Sequence, residues 1–170
     1  MLPGPSPMPY RYARRVQFAE TDQAGIVHFS WYFRYMEEAE HALWRAAGLS
    51  IATSDREVVL PRVAASFEYL APLRFEDEFE VELILESIGR RSLRYACTIT
   101  RGETRIATGS MTAACATKRP GEPLRGADIP DDIAERLREC GRGVGDASGS
   151  ELEAHRSAPT TQNSELKTHN

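Results

Sequence analysis

The chain has 170 residues, of which 41% are hydrophobic and 27% charged, and its formal net charge is −4. That length suits one domain with a sizeable core, while the acidic balance argues against a general nucleic-acid binder. No apolar run approaches the roughly 20 residues that span a bilayer, and the Pro-rich stretch from Met1 to Pro9 lacks the apolar core of a signal peptide.

In chain order, the first nine residues alternate with proline and are expected to be extended and flexible. Tyr10 to Phe18 reads as a strand, with Tyr12, Val16 and Phe18 on one face and Arg11, Arg15 and Gln17 on the other. Ser30 is placed to cap a helix running from Trp31 to about Ala47, which Gly48 would stop. Arg34, Glu38, His41 and Arg45 form one polar stripe on that helix. Most of its remaining surface, including Tyr32, Phe33, Tyr35, Met36, Ala39, Leu43 and Trp44, is apolar, which predicts a helix wrapped by other structure.

Four runs with a period of two follow. Their inward positions are expected to be Val59, Val63, Ala65, Phe67 and Tyr69; Phe79, Val81, Leu83 and Leu85; Leu93, Tyr95, Cys97 and Ile99; and Ala107, Met111, Ala113 and Cys115. Gly89-Arg90-Arg91 and Arg101-Gly102-Glu103 sit where hairpin turns are needed. A buried helix against such an antiparallel sheet predicts an α+β fold. A weaker helical pattern from Asp128 to Cys140 carries Ile133, Ala134 and Leu137. Residues 141–170 are rich in Gly, Ser, Thr and charge, and are expected to form a disordered tail. The expected organisation is therefore a flexible segment 1–9, a folded domain 10–140 and a tail 141–170. Three widely spaced cysteines, Cys97, Cys115 and Cys140, suit reduced thiols in a cytoplasmic protein better than a disulfide framework or a zinc site.

Phe18-Ala19-Glu20-Thr21-Asp22-Gln23-Ala24-Gly25-Ile26-Val27-His28-Phe29-Ser30 is the segment richest in chemistry. Asp22 has two readings on spacing alone. Asp-x-x-Gly can be a plain turn, with Gly25 at positive φ. Alternatively, a carboxylate in a loop before a helix N-terminus can meet a substrate oxyanion held by unpaired N–H groups.

The segment from Val16 to Phe29, followed by Tyr32-Phe33-Arg34-Tyr35-Met36-Glu37, resembles the hotdog-fold acyl-CoA thioesterases. The likeness is to the 4-hydroxybenzoyl-CoA thioesterase type and its Tol–Pal-associated relatives. Phe67-Glu68-Tyr69-Leu70-Ala71-Pro72 and Phe75-Glu76-Asp77-Glu78 match a strand and turn of that family, so the resemblance covers roughly residues 10 to 118. It implies a long helix gripped by a curved antiparallel sheet, with homodimers or homotetramers carrying acyl-CoA sites at subunit interfaces. By resemblance, Asp22 is the catalytic carboxylate, the Phe29 backbone N–H holds the oxyanion, and Gly25 permits close approach of the loop. No metal or redox cofactor is implied.

The chain departs from the family at two positions: some members carry His where it has Phe29, and Tyr is common where it has His28. His28 is therefore read as a pocket wall or hydrogen-bonded residue, and Glu37 as an acid supporting the loop or a subunit contact. Glu20 and Thr21 are read as shaping the loop. Trp31 and Tyr32 can line an acyl pocket or serve as plain core. Arg90, Arg91 and Lys118 can meet the phosphates of CoA or be solvated hairpin charge. The expected function is hydrolysis of an acyl-CoA to a carboxylic acid and CoA. The alternatives are a hotdog protein that binds an acyl-CoA or aromatic ligand without turnover, and a thioesterase acting on acyl-carrier-protein substrates.

Overall fold

The computed structural model describes residues 8–52 and 57–143. Its main sheet has five antiparallel strands: β1 (Tyr10–Arg15), β3 (Arg62–Tyr69), β4 (Glu78–Ile88), β5 (Ser92–Arg101) and β6 (Thr104–Ala114). They lie in the order β1-β4-β5-β6-β3. Three short strands, β2 (Val58–Val59), β7 (Ala116–Thr117) and β8 (Arg125–Gly126), make a second small sheet. The long helix α1 (Trp31–Ala46) packs on the main sheet, and α2 (Asp131–Gly143) adds Ile133, Ala134 and Leu137 to the same core. This is the hotdog arrangement, an α+β fold with a curved sheet around one long helix.

Alternation in the central strands is as expected. Phe79, Val81 and Leu83 of β4, and Leu93, Tyr95, Cys97 and Ile99 of β5, are all buried. Each fully buried aliphatic side chain contributes about 1.5–3 kcal/mol by removal from water. Across the core, Trp44 Nε1 donates to the Tyr95 hydroxyl at 3.1 Å. Both hairpins fall where Gly89 and Gly102 stand, the latter at φ +56°. Cys97, Cys115 and Cys140 are buried free thiols.

Other expectations are corrected. β1 ends at Arg15 rather than Phe18, and Phe18 is 75% exposed instead of facing the core. A 3-10 turn over Phe18–Glu20 replaces the last rungs, drawn inward by burial of Glu20. β3 is an edge strand, so Val63 and Tyr69 remain 62% and 46% exposed, because nothing within the described residues covers its outer side. Ser30 is itself in helical conformation and makes no side-chain cap. Glu40, outside the expected polar stripe, is fully buried. Burial pushes its carboxyl up to about 7 despite the adjacent Arg62 guanidinium. The expected domain boundary at 140 falls inside the last turn of α2, which continues to Gly143. Residues 1–7 and 144–170, with the flexible and tail segments expected there, lie outside the described residues.

Glu20 positions everything downstream of β1. It is 2% exposed, yet ion-paired with Arg14 through bonds of 2.8 and 2.6 Å. The Gln17 N–H at 2.9 Å and the Tyr35 hydroxyl at 2.8 Å also donate to it. Burial alone would raise its pKa, but these donors hold it below the ordinary carboxylate value. The same arrangement pushes the Tyr35 hydroxyl upward, through burial and the neighbouring Glu20 charge. β1, the turn and α1 thus meet on one carboxylate.

Two outcomes follow from this packing. A depressed folded pKa means the contribution of Glu20 is present above its unfolded value, near pH 4, and is lost as pH falls through the folded pKa. Glu20→Gln should therefore lose about 3 kcal/mol at neutral pH and show a flatter acid limb in denaturation measured from pH 7 to 2; an unchanged acid limb contradicts the role. Separately, a Cβ on Gly109 would lie 2.6 Å from the Ser66 carbonyl and 2.7 Å from the Phe67 ring. Gly109→Ala should lower stability by about 1–3 kcal/mol in urea unfolding, whereas an unchanged midpoint would show that β3 yields freely.

Candidate active site

The segment from Thr21 to Ser30 is built as a closed loop. Thr21 and Val27 pair as an isolated antiparallel bridge. Between them the Asp22 N–H donates to the Ile26 carbonyl, and the Gly25 N–H donates to the Asp22 carbonyl, each at 2.9 Å. Gly25 sits at φ +71°, a left-handed conformation that glycine adopts without the penalty of a Cβ. The loop is fastened on both sides, by Val27 N–H to the Leu73 carbonyl at 2.8 Å and His28 N–H to the Glu20 carbonyl at 2.9 Å. Glu20 therefore anchors the loop by its backbone as well as its side chain.

Asp22 is exposed at the tip of this loop. Its Oδ1 accepts the Ala24 N–H at 2.8 Å, which is the turn-type bond expected of Asp in this spacing. Among the described residues Oδ2 has no hydrogen-bond partner and no cation pairs with the carboxylate. The turn reading and the chemical reading are thus compatible: one oxygen orients the side chain and the other is available.

Asp22, Gly25, His28 and Trp31 share an open depression of about 770 Å³ with Phe18 and Glu20. The structure brings these expected site residues together. Tyr32 is not among them: it is buried against Tyr35, Phe67 and Tyr69. His28 Nδ1 shares a 2.8 Å hydrogen bond with Ser30 Oγ, which explains why Ser30 does not cap the helix.

The turn into α1 sets the direction of one backbone donor. The His28 carbonyl accepts the Trp31 N–H at 3.0 Å. In a trans peptide, C=O and N–H point oppositely, so the Phe29 N–H is directed away from the helix. Among the described residues it has no acceptor.

Arg90, Arg91 and Lys118 stand elsewhere. β4 leads from the Asp22 end of the sheet to the turn carrying Arg90 and Arg91, a span of 11 residues, or about 30 Å. Both arginines pair there with Asp128, and Lys118 follows the neighbouring β7. Two cations that sequence reasoning passed over lie nearer the loop. Arg74 Nη1 reaches the Gly25 carbonyl at 3.4 Å, and Arg34, 69% exposed at its side chain, occupies the first turn of α1. Their signal was proximity to the motif, one between the matching strand and turn and one in the helix. Glu37 pairs with Arg34 at 3.2 Å and does not line the depression around Asp22. Among the described residues no cluster of three or more His, Cys, Asp or Glu side chains could hold a metal, and no helix is long and apolar enough to cross a membrane.

Comparisons with known proteins agree with this architecture. The family model of the thioesterase-like superfamily matches residues 16–137. A candidate esterase of Aquifex aeolicus is 38% identical over 135 residues, covering 78% of this chain and 100% of the relative. A 1,4-dihydroxy-2-naphthoyl-CoA hydrolase of Synechococcus elongatus is 31% identical over 109 residues, covering 62% of this chain and 80% of the relative. The crystal structure of a hypothetical protein of Aquifex aeolicus superposes with a TM-score of 0.70 at 33% identity, over 76% of this chain and 99% of that one. By sequence and by fold, the chain belongs to the thioesterase-like superfamily.

Proposed function

We propose that this protein hydrolyses an acyl-CoA thioester to a carboxylic acid and free CoA, with Asp22 as the reacting carboxylate. The observation that carries the proposal is the loop geometry: Asp22 is oriented through Oδ1 while Oδ2 has no partner among the described residues and faces an open depression. Family membership supports thioester chemistry, and the Synechococcus relative is itself named as a hydrolase of an aromatic acyl-CoA.

In the water-activation route, Asp22 accepts a proton from water as the hydroxide adds to the thioester carbonyl. The oxyanion of the tetrahedral intermediate is met by the Phe29 N–H, which has no acceptor among the described residues to give up. Collapse breaks the C–S bond, and the proton on Asp22 passes to the departing CoA thiolate. In the second route, Oδ2 attacks the carbonyl itself, and the C–S bond breaks as CoA leaves as its thiolate. Water then opens the resulting anhydride to release the acid and restore Asp22, its proton going to the thiolate. Both routes use the same oxygen and the same donor.

The remaining groups have supporting parts. His28 and Trp31 wall the depression, and Gly25 keeps the loop low enough for substrate to approach. Arg74 reaches the loop at the Gly25 carbonyl, and Arg90, Arg91 and Lys118 would serve the CoA phosphates only from a second protomer. Such a protomer suits the edge of β3, which no strand among the described residues pairs and where Val63, Tyr69 and Leu70 are exposed. A homodimer or homotetramer in the cytoplasm, with sites between subunits, is the assembly we propose.

Thiol release measured over short, long and aromatic acyl-CoAs should reveal hydrolysis by the wild-type chain. Asp22→Asn, with an unchanged melting temperature, should lower kcat at least about 100-fold; an undiminished rate in that folded variant would exclude Asp22 as the reacting group. Ligand-induced stabilisation without thiol release would instead indicate a binding protein. Sedimentation velocity should show a dimer or larger species, and Val63→Lys should weaken it by placing a charge on the β3 edge; a wild-type monomer contradicts the proposed assembly.

A further inference from the structure

We infer that Tyr69 is a positioning residue for the oxyanion donor, an assignment that rests on the thioesterase reading above. Its hydroxyl donates to the Phe29 carbonyl at 3.1 Å, across 40 positions of sequence. Phe29 is thereby held on both sides. The peptide before it is fixed by the bond from the Trp31 N–H to the His28 carbonyl, and the peptide after it by Tyr69. With both planes fixed, little freedom remains in the direction of the Phe29 N–H.

Tyr69 is suited to this work because its own placement is rigid. It forms the last rung of β3 against β6, opposite Ala107. Just beyond it the Leu70 and Ala71 N–H groups both donate to the Ile106 carbonyl, at 2.8 and 3.1 Å. Its ring stands edge-on to Tyr32, centroids 5.0 Å apart, and lies over Phe67 at 6.3 Å. Tyr32 is on α1 directly after the donor segment, so the aromatic cluster joins sheet edge and helix start. Phe67 is itself seated over Gly109, which leaves it room. The helix start holds the peptide that carries the donor, and the sheet edge adds a second restraint on the peptide that follows it. A hydrogen bond is a weak restraint in energy, yet a donor misaligned by a fraction of an ångström loses much of its effect on a developing charge.

Tyr69→Phe keeps the ring and removes only the hydroxyl, so it separates aim from packing. In the full chain, with an acyl-CoA that the wild type turns over, Tyr69→Phe should lower kcat about tenfold with KM and melting temperature unchanged. The Phe29 amide resonance should shift, while that of Ala24 stays put. An unchanged kcat beside an inactive Asp22→Asn would overturn the role of Tyr69 and leave the thioesterase reading standing. A fall in melting temperature together with a raised KM would also overturn it, by showing a packing role. If the wild type hydrolyses no thioester, the thioesterase reading fails; the Phe29 amide then decides whether Tyr69 holds that segment, and an unmoved resonance overturns the placement as well.

Discussion

A single buried carboxylate sets the course of the chain. Glu20 is almost inaccessible to water, and an ionised group in that position would be severely destabilising without partners. It is surrounded by them: Arg14 from β1, Tyr35 from α1 and the Gln17 N–H from the intervening turn. Arg14 also lies over the Tyr35 ring at 4.6 Å and reaches Glu38 at 2.6 Å, so the network extends along the helix. These contacts require the chain to leave β1 at Arg15 and turn inward. Everything that projects beyond Glu20 is placed by that turn.

The contrast between Glu20 and Asp22 follows directly. Two residues apart, one acid is saturated with donors and the other carries, at the loop tip, an oxygen with no partner among the described residues. A satisfied acid holds structure and an unsatisfied one can react. The Glu20 backbone carbonyl then receives the His28 N–H, so the exit from the loop is fastened to the same residue as its entrance. The loop can therefore present a charge to solvent while its ends stay fixed, as a site on a rigid scaffold requires.

How far this was legible in the sequence differs by element for physical reasons. β4 and β5 are flanked by strands on both sides and covered by α1, so their alternation maps directly onto burial, as Leu93, Tyr95, Cys97 and Ile99 show. β3 carries the same alternation but lies at the edge, where burial depends on what pairs with it; Val63 looks like core in sequence and stands in solvent. Glu40 was not legible because a charged residue beside a polar stripe is ordinarily solvated, and only the third dimension supplies Arg62 and Tyr95. Gly109 occupies an inward position in β6, and its absence of a side chain is explained only by the Ser66 carbonyl and the Phe67 ring of the adjacent strand. Within the site, the loop motif pointed to Asp22, Gly25 and His28, which the fold brings together. Arg90 and Arg91 were attractive by charge alone, but strand length carries them to the far end of the sheet.

The most direct test is a crystal structure of the Asp22→Asn variant with an intact acyl-CoA bound. The thioester carbonyl oxygen should lie within hydrogen-bond distance, about 3 Å, of the Phe29 nitrogen. The substituted carboxamide at position 22 should stand against the carbonyl carbon or hold a water beside it. A thioester seated away from the loop between Thr21 and Ser30, with the Phe29 N–H still facing solvent, would contradict this assignment of the site.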